Sequence, residues 1–258
     1  MVGKEKRLVN YCIDIVIIKI ISLFLIVSFY QLSRALFHVS FLPSIRDILL
    51  EMMKITHNGE FFGAAGITLR RTLISLVFVS STTIIIGLIR GLSDFGDRFL
   101  SIPISFFRTI PGLIWTMITF IWFGFGENAI YVSVVLARMP FLNEFISDGV
   151  KGLDLRFIDV GRVYRFSIRK KLLYIIFPQI LPQLFSLFKS GLTFCWRFVV
   201  VAELFGVSDG VGNRINLAYQ MFNSKGVFAW TICFALLIIC IEYLILDKIE
   251  KILTIWRK

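Results

Sequence analysis

Residues 72–89 read TLISLVFVSSTTIIIGLI, a run of eighteen residues without a charged side chain. A helix needs about 20 predominantly apolar residues to cross the hydrocarbon core of a bilayer, within a range of about 17–25. An uncharged run of this length therefore predicts a membrane-spanning helix rather than a helix in the core of a soluble domain.

The composition extends this prediction to the whole chain. Of the 258 residues, 57% are hydrophobic and 17% are charged, and the mean hydropathy is +0.81. An ordinary soluble domain carries about 25% charged residues. These values exclude a soluble enzyme, a disordered chain and a nucleic-acid-binding domain. The net charge of +11 therefore has to be interpreted by where Lys and Arg lie relative to the membrane.

The apolar runs predict an all-α integral membrane protein with about six transmembrane helices, at residues 11–37, 66–89, 99–123, 129–146, 180–201 and 227–246. The first run is too long for the apolar region of a signal peptide, so we interpret it as a retained helix. The predicted organisation is a tail, a first helix, an outer segment, a five-helix core and a second tail, at residues 1–10, 11–37, 38–65, 66–247 and 248–258. In the outer segment, Leu42-Pro43-Ser44 predicts the start of an interfacial helix that runs through Met53.

The basic residues predict the orientation of these helices. Sixteen lie in the two tails, in the turn after the second helix and in residues 148–177, whereas six lie in the segments on the other side. Cytoplasmic segments carry the excess of Lys and Arg, so both termini are predicted to be cytoplasmic. Arg70 and Arg71 fit this distribution least well, and we expect them to snorkel from the start of the second helix to the outer interface.

Residues 148–177 form the largest predicted cytoplasmic feature, with seven basic and three acidic residues. The spacing of Phe157, Val160 and Tyr164 predicts a short amphipathic helix over 157–165. This pattern favours equally a docking element for a cytoplasmic partner and an interfacial helix that is held by acidic lipids.

Glycine and proline add two expectations for the same segment. Gly161 lies inside the predicted short helix, where glycine costs about 0.8–1 kcal/mol relative to Ala, and this cost is explained if another surface approaches the backbone. Pro178 and Pro182 are expected to end one element before the fifth membrane span.

The segment is similar to the EAA loop of the permease subunits of prokaryotic ABC importers. Asp159-Val160-Gly161-Arg162 matches the acid, small residues and Arg that open this loop, and Ile180-Leu181-Pro182 matches its end. The chain departs from the pattern at three positions. Asp159 replaces a Glu, Val160 replaces a small Ala, and Arg165 replaces a second glycine at which the family's loop bends.

Further motifs follow the order and spacing of the nitrate/taurine/alkanesulfonate-type permeases. They are Leu42-Pro43-Ser44, Arg108-Thr109-Ile110-Pro111, the Trp122–Glu127 segment, Pro140 to Asn143, and Trp196 to Glu203 followed by Gly210-Val211-Gly212. The resemblance therefore covers nearly the whole chain.

The resemblance implies a MetI-like permease core of a type I ABC importer, which works by alternating access. Two permease subunits, expected to be a homodimer, would lie in the bilayer. Two cytoplasmic ABC ATPases would dock on their EAA loops and bind ATP and Mg²⁺, and an extracytoplasmic solute-binding protein would deliver the substrate. This chain would bind no cofactor and catalyse no reaction, in agreement with the absence of a phosphate-loop motif from its sequence. The implied coupling residues are Phe157, Asp159, Gly161, Arg162, Tyr164, Arg165 and Pro182.

Polar residues at helical spacing predict a translocation pathway along one side of the third and fifth spans, because such groups at membrane depth usually face a bundle interior or water. The candidates, one of them from the fourth span, are Arg108, Thr116, Asn143, Lys189, Thr193, Trp196, Arg197 and Glu203. Helix packing is the alternative for the small and hydroxyl-bearing residues. Glu203 is the expected ion-pair partner of Arg108 or Arg197. The basic residues suit an anionic solute such as a sulfonate, nitrate or carboxylate.

Small residues and proline predict how the spans pack. Gly87 and Gly91 form a GxxxG pattern that allows a close contact between helices. Pro111 and Pro140 are expected to kink the third and fourth spans.

Two other classes of protein remain as alternatives. A membrane-embedded lipid-modifying enzyme would need a cluster of catalytic acids or histidines at one depth, and the sequence offers only scattered ones. A stand-alone secondary transporter is expected to show inverted repeats with paired broken helices, and the sequence shows no such repeat. The sequence leaves open which solute is transported and whether the partner permease is identical.

Overall fold

The computed structural model describes residues 21, 22, 25, 28–33 and 42–242. These residues form helices and short connections, and no strand occurs among them. The chain divides into two compact units, Met1–Asp47 and Ile48–Lys258. The predicted tails and most of the predicted first helix lie outside the described residues, although residues 28–33 are helical.

A capping motif starts the helix α1 (Ile45–His57). The Ser44 hydroxyl accepts a hydrogen bond from the backbone N–H of Asp47 at 3.1 Å and donates one to the Asp47 carboxylate at 2.6 Å. This pairing satisfies backbone groups that have no partner inside the helix. The predicted start at Leu42-Pro43-Ser44 is confirmed, and the helix ends four residues beyond Met53.

The second unit is a bundle of helices. After α1 the chain forms α2 (Glu60–Leu92), α3 (Asp94–Thr109), α4 (Gly112–Phe123), α5 (Glu127–Lys151), α6 (Leu155–Val163), α7 (Ile168–Gly206), α8 (Gly210–Gln220) and α9 (Ser224–Ile241). Four of them, α2, α5, α7 and α9, are long and apolar enough to cross a membrane, and the bent pair of α3 and α4 reaches that length and apolarity only when the two helices are taken together. We call the end of the bundle that carries α6 the lower end and the end that carries residues 207–209 the upper end.

The third predicted span, residues 99–123, is not one helix. It consists of α3 and α4, which meet at an angle of 97°. Ile110 is extended (φ −81°, ψ 122°), as expected for a residue before proline, and Pro111 has no N–H to continue the helix. The stacked rings of Phe107 and Trp115, with centroids 5.0 Å apart, pack across the break. The polar residues of this span therefore do not follow one side of a single helix, as the sequence had predicted.

The expected stop at Pro178 and Pro182 is wrong, because both residues lie inside the continuous helix α7. Residues Leu172–Ile176 form a π-helical turn directly before Pro178. A π-helical turn shifts the backbone hydrogen bonds by one residue, and such turns accommodate groups that would interrupt an α-helix. The fifth span consequently begins at Ile168 instead of Ile180 and ends at Gly206.

The centre of the bundle is α5, which packs against α2, α4 and α7. The contact with α2 is close because Gly87 and Gly91 face it. A Cβ atom at Gly87 would lie 2.6 Å from the Cβ of Ile146, and one at Gly91 would overlap Val150. The predicted role of the GxxxG pattern in helix packing is confirmed.

Gly87→Val tests this contact. We expect the variant to lose about 1–3 kcal/mol of stability, because the new side chain overpacks the contact between α2 and α5. Thermal unfolding of the purified permease in detergent measures the loss. Gly63→Val is the matched control, since Gly63 lies in the same helix and a Cβ atom there meets nothing within 4 Å. Equal melting temperatures of the two variants would contradict the assignment.

Candidate functional site

At the lower end of the bundle, the loop that follows α5 is hydrogen-bonded to α7. Gly152 ends α5, and its N–H donates to the carbonyl of Asp148 at 2.9 Å. The backbone N–H of Asp154 donates to Oε1 of Gln179 in α7 at 3.0 Å. Arg156 pairs with Asp154 at 2.7 Å, and hydrogen bonds from its side chain lower the pKa of the Asp154 carboxyl. The start of the loop is thereby fixed to the helix that follows it.

Helix α6 ends at Val163, two residues before the predicted end at Arg165. The N–H of Phe166 donates to the carbonyl of Gly161 at 2.9 Å, and Arg165 has a positive φ of 51°. This is the closing hydrogen bond of a Schellman motif, in which the residue at the position of Arg165 is usually glycine. The chain therefore bends where the resembling loops have their second glycine, although an arginine occupies the position.

Gly161 makes a contact within the subunit instead of the expected contact with a partner. A Cβ atom there would lie 2.6 Å from Cδ1 of Ile175 in the π-helical turn of α7. The close approach that justifies a helical glycine is thus the packing of α6 on α7. Beside this contact lies an apolar cavity of about 200 Å³, whose lining includes Ile158, Leu172 and Ile176.

The other side of the loop presents apolar side chains to the surroundings. More than 45% of each is exposed in Phe157, Val160, Val163 and Tyr164, which we call the loop face. The sequence pattern predicted three of these residues and missed Val163. Its signal was present in the sequence, because Val163 lies three residues after Val160. Ile168 is also exposed, but it lies at the cavity.

The remaining residues predicted for coupling have different positions. Asp159 is exposed on α6, and Arg162 belongs to the same helix. Pro182 lies in α7, where its carbonyl accepts a hydrogen bond from the Ser186 hydroxyl at 3.0 Å. Pro182 is therefore part of the long helix and not of the loop.

At the upper end, Arg71 of α2 is surrounded by carboxylates. Its guanidinium donates to Glu203 at 2.9 Å and forms ion pairs with Asp209 and, at 3.1 Å, with Glu127. Only 1% of Arg71 is exposed. The expectation that Arg71 snorkels to the interface is wrong, because ion pairs inside the bundle compensate its charge. Arg70 is exposed and pairs with Glu127.

Glu203 is held by the start of α8 as well as by Arg71. Its carboxylate accepts hydrogen bonds from the N–H of Gly212 at 3.0 Å and from the Thr68 hydroxyl at 2.9 Å. A side chain at Gly210, whose φ is +91°, would overlap the carboxylate. Carboxylates are stabilised at helix N-termini, which gives Gly210-Val211-Gly212 its physical meaning. The expected pairing of Glu203 with Arg108 or Arg197 is wrong.

The predicted pathway residues fall into separate places. Arg108 pairs with Glu144 at 3.1 Å. Asn143 is buried and accepts a hydrogen bond from Arg90 at 2.7 Å. Of the other six, Thr116 is buried within the subunit, Trp196 and Thr193 are half-buried in α7, and Arg197 is exposed there.

These contacts bring only Arg108 and Asn143 into one cluster, through Arg90 and Glu144. Lys189 is half-buried in α7, on the same helix as Thr193. Glu203 lies apart from them at the upper end. Their role as lining of a translocation pathway stays a prediction.

The fold is that of a helical membrane protein with a central helix, a broken helix pair and an exposed apolar loop face. Residues 82–247 match the family described as "binding-protein-dependent transport system inner membrane component". The chain belongs to this family. It is thus a permease subunit of an ABC importer, a transport component and not an enzyme, which works in the membrane with an ATPase and a binding protein.

Several relatives carry more particular names. The chain is 32% identical over 196 residues to SsuC of Bacillus subtilis, named as an aliphatic sulfonates transport permease protein, covering 75% of this chain and 70% of the relative. It is 26% identical over 222 residues to the taurine transport system permease protein TauC of Escherichia coli, covering 84% and 80%. It is 28% identical over 155 residues to the nitrate import permease protein NrtB of Synechococcus elongatus, covering 60% and 55%.

Solved structures confirm the MetI-like fold. An inward-facing structure of the MetNI methionine ABC transporter aligns with a TM-score of 0.59 at 17% identity, covering 77% of this chain and 95% of the other. An amino acid ABC transporter crystallised with histidines aligns with a TM-score of 0.58 at 15% identity, covering 79% and 95%.

Arg165→Gly tests the bend after α6. A residue other than glycine in the left-handed region costs about 1–2 kcal/mol, so glycine is expected to raise the stability of the loop by part of this amount. Arg165→Val, which introduces a β-branched residue, is expected to lower the stability. The rate at which a protease cleaves residues 152–167 in the purified permease measures the relative stability of the loop in the two variants. A loop that is cleaved faster in the Arg165→Gly variant than in the Arg165→Val variant would contradict the assigned conformation.

Glu203→Ala tests the buried ion pair. Removing one partner of a buried pair costs up to about 3–5 kcal/mol, because Arg71 loses its fully buried partner and keeps only the partly exposed Glu127 and Asp209. Thermal unfolding measures the loss, and the Arg71→Met/Glu203→Met double variant is expected to recover part of it. The control is Arg70→Ala, which removes an exposed pair worth about 0–1 kcal/mol. A double variant less stable than Glu203→Ala would argue against the pairing.

Proposed function

We propose that two copies of this chain form the membrane core of an importer for small organic anions of the sulfonate class. Two ATPase subunits dock on the two loop faces from the cytoplasm and bind ATP and Mg²⁺. A solute-binding protein docks at the upper end on the opposite side of the membrane. The observation that carries this proposal is the loop face, an exposed apolar surface on a basic segment outside the membrane spans.

The distribution of charge supports the orientation. Residues 148–177 carry seven basic residues, and the connection between α2 and α3 lies at the same end of the bundle. An excess of Lys and Arg marks the cytoplasmic side of a membrane protein. The lower end is therefore the cytoplasmic end, and both termini of the chain lie on that side.

The chemistry of the loop face supports a protein partner. Phe157 and Tyr164 are large exposed side chains, and aromatic residues are enriched at the energetically important positions of protein interfaces. An apolar surface of this kind on a water-facing loop is a binding surface for another protein or for a membrane. A protein partner fits better than a membrane surface. Tyr164 lies beyond the end of α6, next to the bend at Arg165, so it is not part of the helix that would lie on a membrane.

The packing of the loop supports the transmission of motion. Helix α6 is joined to α7 by the contact between Gly161 and Ile175, and the start of the loop is joined to α7 by the hydrogen bond from Asp154 to Gln179. A displacement of the loop face consequently moves the lower part of α7 with it. ATP binding closes the ATPase pair and shifts the two loops, which changes the side of the membrane to which the pathway opens.

The relatives support the class of solute. The names of SsuC, TauC and NrtB refer to aliphatic sulfonates, taurine and nitrate, which all carry an anionic group. The positive side chains within the spans, among them Arg108 and Arg197, suit such a solute.

Tyr164→Ala tests the docking of the ATPase. Truncating an aromatic side chain at the centre of an interface costs about 2 kcal/mol or more, so we expect at least a tenfold loss of affinity. Co-purification of the ATPase with the tagged permease from membranes measures it. The matched control is Tyr219→Ala at the upper end, because 73% of Tyr219 and 72% of Tyr164 are exposed.

The same assay distinguishes the partner. If the loop face binds acidic lipids instead, Tyr164→Ala leaves the co-purification unchanged and weakens the binding of the purified permease to anionic nanodiscs. Such a result, or equal behaviour of the two tyrosine variants toward the ATPase, would overturn the docking proposal.

A further inference from the structure

Within the described residues, Arg138 in the apolar helix α5 forms no ion pair with a carboxylate. Arg138 is the twelfth of the 25 residues of α5, so it lies near the middle of a span. Its buried Nε has no hydrogen-bond partner, and no carboxylate in the described part of the chain forms an ion pair with it.

The two fully buried arginines, Arg71 and Arg90, differ from Arg138 because each of them has carboxylate partners. Arg71 is paired with three carboxylates at the upper end. Arg90 lies within 2.9 Å of Asp97 and 3.3 Å of Glu144. A charge in the low dielectric of a membrane protein is normally compensated by such partners. Among the described residues, the groups that contact the guanidinium of Arg138 are the aromatic rings of Phe194 and Phe198.

The surroundings of Arg138 combine aromatic walls with a second positive charge. Its guanidinium lies 5.0 Å from the ring centroid of Phe198 and 5.3 Å from that of Phe194, both in α7. Arg197 follows Phe194 by three residues on the same helix, so the two side chains occupy neighbouring positions of one face. Arg197 is exposed, and within the described chain its contact is with the ring of Trp196, at 5.3 Å.

The broken span adjoins this place. A Cβ atom at Gly112, the first residue of α4, would overlap the ring of Phe198 and lie 3.5 Å from Ala137. Because Arg138 lies over the ring of Phe198, it lies beside the break between α3 and α4.

We propose that Arg138 and Arg197 together form an anion-binding site within the membrane, at which the solute is held during translocation. A sulfonate group would accept hydrogen bonds from the guanidinium groups, and the alkyl part would pack on the faces of Phe194 and Trp196. This inference rests on the proposed function and names the residues that bind its substrate. Two unpaired cations next to apolar rings suit an amphipathic anion better than a small, strongly hydrated one.

The importer reconstituted in proteoliposomes with its ATPase and binding protein tests the site. Uptake of radiolabelled ethanesulfonate and binding-protein-stimulated ATP hydrolysis are measured on the same vesicles. Arg138→Gln and Arg197→Gln are each expected to lower kcat/KM of uptake about tenfold to a hundredfold, since each removes a hydrogen bond to a charged group. ATP hydrolysis per transporter is expected to remain, and Arg138→Lys is expected to restore part of the uptake.

The controls separate the possible outcomes. Arg98→Gln removes an exposed arginine of α3 and is expected to leave uptake unchanged. If Arg138 has a structural role alone, Arg138→Gln lowers the melting temperature while uptake per hydrolysed ATP stays at the wild-type value, and the inference is overturned. If the wild-type importer takes up no ethanesulfonate, the proposed substrate class fails first, and the inference fails with it.

Discussion

A charge inside a bilayer has to be matched by the protein itself, since lipid cannot solvate it. The pairing of Arg71 with Glu203 shows how far this requirement shapes the permease. The two residues are 132 positions apart, and their contact joins α2 to the end of α7. The amide groups at the start of α8 complete the environment of Glu203, so the position of α8 depends on the same carboxylate. These polar groups are buried away from water, so each one that lacks a hydrogen-bond partner costs free energy. Their relative positions are therefore tightly constrained.

The helical type of the chain and the places of α2, α5, α7 and α9 could be predicted from the sequence, because apolar runs report directly on the thickness of the bilayer. Most of the first of the six predicted spans lies outside the described residues. The start of α1 and the short helix in residues 148–177 could also be predicted, since capping and amphipathic spacing are local signals. The break at Pro111 was anticipated only as a kink. Hydropathy is the same for a straight span and for two arms at 97°, and the direction of the second arm depends on the packing of Phe107 and Trp115.

The candidate site was predictable in part for the same reason. The sequence identified Glu203 and the Gly210-Val211-Gly212 motif but not the relation between them, which requires the chain to return on itself after Gly206. It treated Arg71 as a marker of the interface, because a rule based on counting charges contains no information about a carboxylate in a distant helix. The glycine at position 161 was expected to allow another surface to approach the helix backbone. In the structure, Ile175 of the same subunit makes this close approach.

The contacts that stabilise the bundle differ from those that attach α6 and its loop to it. The bundle is stabilised by close helix contacts such as that of Gly87 with Ile146, whereas α6 is joined to the rest by the contact of Gly161 with Ile175 and by the packing of Ile158 on the core. The hydrogen bond from Asp154 to Gln179 fixes the start of the loop. The loop face is therefore carried by a small element with a well-defined attachment.

The junction of α3 and α4 has a consequence for how the two arms move. Their backbones are connected through Ile110 and Pro111 without a shared ladder of hydrogen bonds, and Phe107 contacts Trp115 across the break. Tilting one arm hence requires rotation about a few single bonds and a shift of this side-chain contact, and it leaves the internal hydrogen bonds of both helices intact. Asp97 at the start of α3 pairs with Lys151, the last residue of α5 before the loop, at 2.6 Å. A pull on the loop therefore reaches the first arm directly, and the joint lets that arm swing while the second stays anchored in the core.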